Sequence, residues 1–157
     1  MADGRPNTRG SGFRDSGNRG DSGGSSFSER DVVKELSGLK ALSALEADKL
    51  VDLAEKMGDF LANRIRLKTS QIRKFLDAVN EIKSKGTQEK EEKFFRSECM
   101  LLKPKLAYAA GRQDEVKPLM AVLVPCIDRV YGKEDFTRFY RFVESIIAYH
   151  RYHGGRD

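Results

Sequence analysis

The chain has 157 residues, 39% of them hydrophobic and 34% charged, a length that predicts one domain with at most an appendage. No run of about 18 apolar residues occurs and the N-terminus lacks the apolar core of a signal peptide, so neither a membrane span nor a secretion signal is expected. The net charge of +5 permits a phosphate-bearing partner without requiring one, and the default expectation is a bacterial or archaeal cytoplasm.

Residues 1–27 differ in composition from the rest and are predicted to form a disordered Gly/Ser/Arg tail. Within residues 1–26 the only apolar side chains are those of Met1, Ala2 and Phe13. Such a stretch cannot bury enough apolar surface to offset the entropy lost on ordering. Its arginines are nearly balanced by aspartates, which favours an inert tail over an RNA-binding one. We therefore assign the folded domain to residues 28–157.

Helical spacing of apolar residues begins at Ser28. Ser28 and Asp31 predict the start of a short first helix, which ends at Gly38. Ser43 and Glu46 form a capping-box pattern that predicts the start of the second helix. Its apolar stripe has spacings of three and four and consists of Leu50, Leu53, Ala54, Met57 and Leu61.

A short basic linker, residues 64–68, precedes the third predicted helix. Thr69 or Ser70 is expected to cap this helix and Gly86 to end it. Its predicted buried stripe is Ile72, Phe75, Leu76, Val79 and Ile82. A fourth helix is predicted to start near Thr87 and to break or kink at Pro104.

The C-terminal part predicts three more helical segments. A short piece, residues 105–110, is expected to end at Gly111. Asp114 then caps a helix that kinks at Pro125 and ends at Gly132. The last helix, residues 134–152, carries two adjacent apolar stripes, which predicts a central position. The fold class is therefore all-α, a compact bundle of about five to six helices with a disordered N-terminal tail.

The sequence offers few residues for catalysis or for metal binding. His150 and His153 are the only histidines, and their spacing of three predicts that both lie on one helix face. A zinc site needs a third ligand and a di-iron bundle needs Glu-x-x-His on two helices, and neither pattern occurs. The favoured interpretation is two polar residues at a helix end, where partial positive charge suits the dipole. We expect no catalytic residue and no cofactor; a small metal-dependent enzyme is the least favoured alternative.

Two cysteines, Cys99 and Cys126, lie in apolar surroundings. Two well-separated cysteines match neither a disulfide framework nor a zinc pattern. They are expected to be small buried hydrophobic residues.

Basic residues cluster around the start of the third predicted helix. Arg64, Arg66 and Lys68 precede it, and Arg73 and Lys74 lie just inside it, off the apolar stripe. A helix N-terminus provides free N–H groups and a positive dipole end, which suits one or two phosphates. The alternative is a solvated helix face.

A second basic group lies around Pro104 and Gly111, from Lys103 to Lys117. It combines Tyr108, a residue able to stack on a base, with four basic side chains. These are Lys103, Lys105, Arg112 and Lys117. Alternatively, Tyr108 packs in the core and the basic residues are ordinary surface; spacing alone does not decide between the two.

Three segments of the chain together resemble a known family, and they run from Leu67 to Gly155. Leu67–Phe75 (LKTSQIRKF) resembles a Thr-[Thr/Ser]-x-Ile-Arg element. Leu102–Arg112 (LKPKLAYAAGR) resembles a Lys-x-x-x-Ala-Tyr-x-x-Gly-Arg element. Phe142–Gly155 is similar to an aromatic closing helix. All three elements, in this order, are found in the small helical subunit of the type III-A CRISPR (Csm) effector complex.

The resemblance implies a non-catalytic subunit, present in several copies along a ribonucleoprotein. The implied partners are guide (CRISPR) RNA, target RNA, other subunits and further copies of the chain, with no membrane partner. The resemblance also implies that a neighbouring subunit cleaves the target. Spacing and resemblance together predict seven RNA-binding residues: Lys68, Arg73, Lys74, Lys103, Lys105, Tyr108 and Arg112. The alternative function is a helical protein–protein adaptor without direct RNA contact.

Overall fold

The computed structural model describes residues 26–88 and 91–157, and all regular structure in these two ranges is helical. The α-helices are α1 (Glu29–Ser37), α2 (Ala47–Asp59), α3 (Thr69–Gly86), α4 (Glu92–Met100), α5 (Leu102–Arg112), α6 (Lys117–Asp128) and α7 (Lys133–Tyr152). Leu101 alone separates α4 from α5, so these two behave as one broken helix and the predicted all-α bundle of about six helices is confirmed. None of the helices in the two described ranges has the length and apolar character needed to cross a membrane.

The predicted N-terminal tail lies outside the described residues, apart from its last two. Phe27 packs its ring edge against Phe60, with the ring centroids 5.7 Å apart. Ser26 accepts a hydrogen bond from Arg64 at 2.8 Å. The packed structure therefore includes Phe27, one residue before the predicted start of the domain.

Helix α7 lies at the centre of the bundle, as its two apolar stripes predicted. It packs against α2, α3 and α4, while α1 packs against α6. Phe139 and Phe142 of α7 are fully buried. The contact with α2 is close because Gly58 has no side chain: a Cβ there would lie 2.6 Å from the backbone nitrogen of His150.

The second helix begins later than its predicted capping box. Leu42–Ala44 forms a 3₁₀ turn, and α2 starts only at Ala47 with Glu46 as its N-cap. The backbone N–H of Ser43 donates to the buried carboxylate of Asp135 at 2.8 Å. Ser43 is therefore held by a distant side chain and does not cap a helix, which the local pattern could not reveal.

Helix α2 ends in a wider π-helical turn, Phe60–Ile65. Arg66 follows in the left-handed conformation (φ 60°) and reverses the chain. The reversal brings Leu67 into the core, where it is 1% exposed.

The cap of α3 is Lys68, so the prediction of Thr69 or Ser70 is wrong. The N–H of Lys68 donates to the side-chain oxygen of Gln71 at 2.8 Å. Thr69 is instead the first helical residue, and its side chain is buried. Burial of Thr69 against the core therefore displaces the cap by one residue.

Three further predicted helix ends are shifted. Helix α4 starts at Glu92, beyond Thr87. Helix α5 continues through Gly111 to Arg112, so Gly111 does not end it. Helix α6 ends at Asp128, and Gly132 is instead the N-cap of α7.

The break predicted at Pro104 occurs at Leu101. Pro104 is the third residue of α5, where a helix has no intrahelical partner for the N–H that proline lacks. Pro125 lies inside α6, which continues to Asp128. The side chain of Arg129 donates to the carbonyl of Pro125 at 2.8 Å.

Candidate nucleic-acid interface

A cleft of about 460 Å³ separates the N-terminal half of α3 from α5. We call it the α3–α5 cleft. Apolar side chains from α3, α5 and the start of α6 contribute to its lining, namely Phe75, Leu106, Val116 and Leu119. All four are at least 92% buried, so this part of the surface is continuous with the hydrophobic core.

Among the residues that the structure describes, four cationic side chains and no carboxylate line the α3–α5 cleft. They are Lys68, Lys74, Lys105 and Arg112. Within residues 26–88 and 91–157, none of the four forms an ion pair. With no carboxylate paired to them in these ranges, the four side chains give the cleft an excess of positive charge, which would suit an anionic ligand.

The structure thus brings five of the seven predicted RNA-binding residues to one site and leaves two outside it. Arg73 is exposed but does not line the cleft, because it lies about 100° around α3 from Lys74. Lys103 pairs with the carboxylate of Asp128 on α6, and its side chain is only 28% exposed. The charge of Lys103 is therefore already compensated within the domain.

Tyr108 stands on the rim of the cleft together with Arg112. Its side chain is 68% exposed, so the alternative in which Tyr108 packs in the core is wrong. Arg112 donates to the Tyr108 hydroxyl at 3.3 Å, and its guanidinium carbon lies 5.7 Å from the ring centroid. The pair presents a cation and an aromatic ring at the same edge.

Two glutamine side chains, which sequence reasoning missed, connect the two walls of the cleft. The Nε2 of Gln71 donates to the Oε1 of Gln113 at 2.5 Å. The Oε1 of Gln71 is already occupied by the N–H of Lys68, which fixes the orientation of both amides. The position of Gln71 three residues after its cap was a readable signal, whereas Gln113 lies beyond α5 and is brought to the site only by the fold.

The first turn of α3 is anchored to the C-terminus on the side away from solvent. The N–H of Thr69 donates to the carbonyl of Arg156 at 2.9 Å. The Nε2 of His150 lies 2.7 Å from the carbonyl of Leu67. We call this set, with Gly155, the C-terminal junction. Because the N–H of Thr69 already has a partner, the free helix N-terminus expected from the sequence is partly occupied.

His150 is a buried, neutral side chain, which corrects the predicted role of a partly charged helix end. Burial lowers its pKa; its hydrogen bond to Leu67 raises the pKa by less, and nearby Arg151 lowers it further. Because a carbonyl only accepts, Nε2 carries the proton and Nδ1 does not. Gly155 is required beside it, since a Cβ there would lie 2.1 Å from the imidazole.

The second histidine, His153, lies at the end of α7 near α2. Its ring nitrogens are 3.8 Å from carboxylate oxygens of Glu55 and Asp59. In the two described ranges, no group of three His, Cys, Asp or Glu residues has an arrangement that could hold a metal ion.

Both cysteines are free and buried, as predicted. Burial raises the pKa of the Cys99 thiol to about 12, and it raises that of Cys126 as well. Both are therefore protonated and unreactive near neutral pH.

Comparison with known proteins connects this geometry to one family. The model of the family described as Csm2 Type III-A matches residues 44–156, a range that contains both the α3–α5 cleft and the C-terminal junction. A curated protein of Streptococcus thermophilus named CRISPR system Cms protein Csm2 is 29% identical over 116 residues. That match covers 71% of this chain and 91% of the relative. No significant match was found among solved structures.

Proposed function

Because the chain belongs to the Csm2 family of type III-A CRISPR systems, we propose that it is a non-catalytic subunit that binds the backbone of the guide–target RNA. In this role it stabilises an RNA-guided interference complex that acts in antiviral defence. One observation carries the proposal, namely the α3–α5 cleft, whose lining in the described part of the chain contains four cations and no carboxylate. The proposed partners are guide RNA, target RNA, other subunits of the complex and further copies of the chain, in the cytoplasm of a prokaryote.

Charge and shape are sufficient for this role. Phosphate contacts position a strand and carry no sequence information, while base pairing between guide and target reads the sequence. Lys74 and Arg112 have no acidic partner in the described ranges, so no internal ion pair is broken when they meet a phosphate. We therefore expect binding that tolerates any target sequence and weakens as salt concentration rises.

Target cleavage is proposed to belong to a neighbouring subunit. His150, one of the two histidines, is fully buried with Nε2 directed at a backbone carbonyl, which leaves it unavailable as a base for a bound RNA. Incubation of the pure chain with labelled RNA and a divalent metal should leave the RNA intact. Cleavage that His153→Ala abolishes would contradict this.

Contacts with other subunits are proposed to use the exposed apolar side chains at the junction of α4 and α5. Met100 and Leu101 are 36% and 60% exposed there. Head-to-tail association of copies, which an elongated array requires, joins two different surfaces of each chain. A single copy per complex, or a two-fold symmetric pair, would contradict this part of the proposal.

The decisive experiment compares adjacent residues of α3 in the assembled complex. Lys74→Gln removes a cation that lines the cleft, and Arg73→Gln removes one that does not. Each lost phosphate contact should lower the slope of log affinity against log salt by about 1. We expect that change for Lys74→Gln and a smaller one for Arg73→Gln, equally for unrelated target sequences.

A second matched pair uses α5. Arg112→Gln should act like Lys74→Gln, and Lys103→Gln should have little effect on the slope because Lys103 is already paired with Asp128. If neither Lys74→Gln nor Arg112→Gln changes the affinity or the slope, the protein–protein adaptor becomes the better description.

A further inference from the structure

The α3–α5 cleft combines chemistry for a phosphate with chemistry that a phosphate does not need. We propose that it accepts one unpaired base of an RNA strand, with the adjoining phosphates held by the cationic rim. The inference rests on the proposed function and goes beyond it by naming the ligand as a single-stranded nucleotide.

The first feature of the cleft that suits a base is its apolar lining. Ala78 and Ala109, which are only partly buried, contribute to it together with the edge of Phe75. A double helix presents sugars and phosphates and keeps its bases stacked inside, so its backbone alone would leave such a surface unfilled. An unstacked base has a flat apolar face that fills it. The volume of about 460 Å³ falls within the range of roughly 300–1,000 Å³ typical of small-ligand sites.

The second feature that suits a base is the amide relay, by which we mean the two hydrogen bonds that lead from the backbone of Lys68 through Gln71 to Gln113. Lys68 N–H donates to Gln71, and Gln71 donates to the Oε1 of Gln113. Gln113 thereby uses its oxygen and retains both N–H groups as donors at the lining of the cleft. Every RNA base carries a carbonyl oxygen or ring nitrogen that accepts such a bond. The relay thus suits a base edge without selecting one base.

The third feature that suits a base is the rim of the cleft. Tyr108 is largely exposed, and the Arg112 guanidinium lies beside its ring. An exposed aromatic ring offers a flat face to a base, and stacking of a base on aromatic or guanidinium planes is the common mode of single-strand recognition. Lys74 and Lys105 complete the rim as partners for the flanking phosphates.

The test uses the full chain and three probes: a uridine hexamer, a ribose-phosphate hexamer of equal charge that lacks the bases, and uridine monophosphate. Binding is followed by the NMR signals of the side-chain amides of Gln71 and Gln113. We expect the uridine hexamer to bind about 5-fold to 150-fold more tightly than the abasic hexamer, the range for one stacked base.

Two pairs of variants on α5 sharpen the test. Ala109→Leu fills the cleft, whereas Ala107→Leu adds the same bulk at an exposed position that does not line it. Tyr108→Ala removes the ring, whereas Tyr108→Phe keeps it. Ala109→Leu and Tyr108→Ala should reduce the preference for bases at least about 3-fold, and their controls should retain it. Because Tyr108 is exposed, its variants test the proposal even if Ala109→Leu does not fold.

The possible outcomes separate the two proposals. Equal binding of the two hexamers overturns the base site, and so does the absence of uridine hexamer binding at millimolar concentration. Uridine monophosphate that binds as tightly as the uridine hexamer also overturns it, because the occupant is then a free nucleotide. The proposed function is judged independently by the salt series on the assembled complex, and it survives any of these results if Lys74→Gln lowers the slope there.

Discussion

The first turn of α3 lies between two regions of opposite character. On one side the C-terminal junction holds Leu67 and Thr69 in a dry, neutral environment through His150 and Arg156. On the other side the α3–α5 cleft exposes uncompensated positive charge. The junction belongs to the folded core, and the shared turn lets it position the cleft that we propose to bind RNA.

The junction is sensitive because its polar atoms are only partly satisfied. The hydroxyl oxygen of Thr69 and the Nδ1 of His150 are buried without hydrogen-bond partners among the described residues. A buried polar atom without a partner costs about 1–3 kcal/mol. The loss of another hydrogen bond at the junction should therefore lower the free energy of unfolding, whereas the exposed side chains of the cleft are solvated in the folded chain and should matter less for folding.

The largest difference between the regions should come from two glycine-to-alanine changes. Gly58→Ala places a methyl group 2.6 Å from backbone atoms of α7 beside the junction, so α2 and α7 must separate. We expect the free energy of unfolding to fall by about 3 kcal/mol, the upper end of the range for overpacking. Gly111→Ala, next to the cleft, has nothing within 4 Å and should raise it by about 0.5–1 kcal/mol. Urea denaturation measures both free energies of unfolding; similar losses in the two variants would mean that the junction is packed no more tightly than the edge of the cleft.

The junction should also respond to pH. In the folded chain the pKa of His150 lies below its ordinary value of about 6.5. At pH values between the folded-state pKa and 6.5, the unfolded chain therefore binds more protons than the folded chain. The contribution of His150 to the free energy of unfolding is therefore fully present above about pH 6.5 and is lost as the pH falls below that. His150→Gln keeps a donor for Leu67 but does not titrate, so it should lose less on acidification. Equal pH dependence of the two proteins would mean that His150 is not the responsible group.

A smaller effect is expected from shortening the C-terminus. Deletion of residues 156–157 removes the carbonyl that accepts the N–H of Thr69. The loss of one hydrogen bond should lower the free energy of unfolding by about 1 kcal/mol and increase hydrogen exchange at residues 69–71. Deletion of Asp157 alone is the control, because the terminal carboxylate of Arg156 still provides an oxygen that accepts the N–H of Thr69. Unchanged hydrogen exchange at residues 69–71 in the longer deletion would mean that the junction does not hold the first turn of α3 and so does not position the cleft.

The smallest effect on folding should come from the cleft itself. Lys74→Gln and Arg112→Gln alter exposed side chains without ion partners in the described ranges. Their free energies of unfolding should stay within about 0.5 kcal/mol of the parent chain. A loss above about 1 kcal/mol in thermal or chemical unfolding would show that the cleft belongs to the folding core.

Local sequence predicted the helices well and their ends less well. The stripe from Leu50 to Leu61 is buried as expected, because helical periodicity is a property of neighbouring residues. Caps are decided partly by distant groups. Asp135 holds Ser43 across the fold, and Arg156 holds Thr69, so the capping patterns at both positions were wrong.

The site was predictable to the extent that its residues share helix faces. Lys105, Tyr108 and Arg112 lie at spacings of three and four on α5, which places them on one side of the helix. Gln113 had no local signal, and the pairing of Lys103 with Asp128 depends on how α6 packs. Tertiary contacts decided which of the basic residues remain available.

The pairing of α2 with α7 has a consequence for how the chain reaches its folded state. Within the described residues, α2 and α7 form the most extensive helix pair, although α3, α4, α5 and α6 lie between them in the sequence. At a synthesis rate of roughly 5–20 residues per second, the apolar face of α2 remains without its partner α7 for several seconds. Contacts between such distant segments also slow folding relative to bundles whose neighbouring helices pair. We therefore expect the partly synthesised chain, in which α2 has no partner, to be more prone to aggregation than the complete chain.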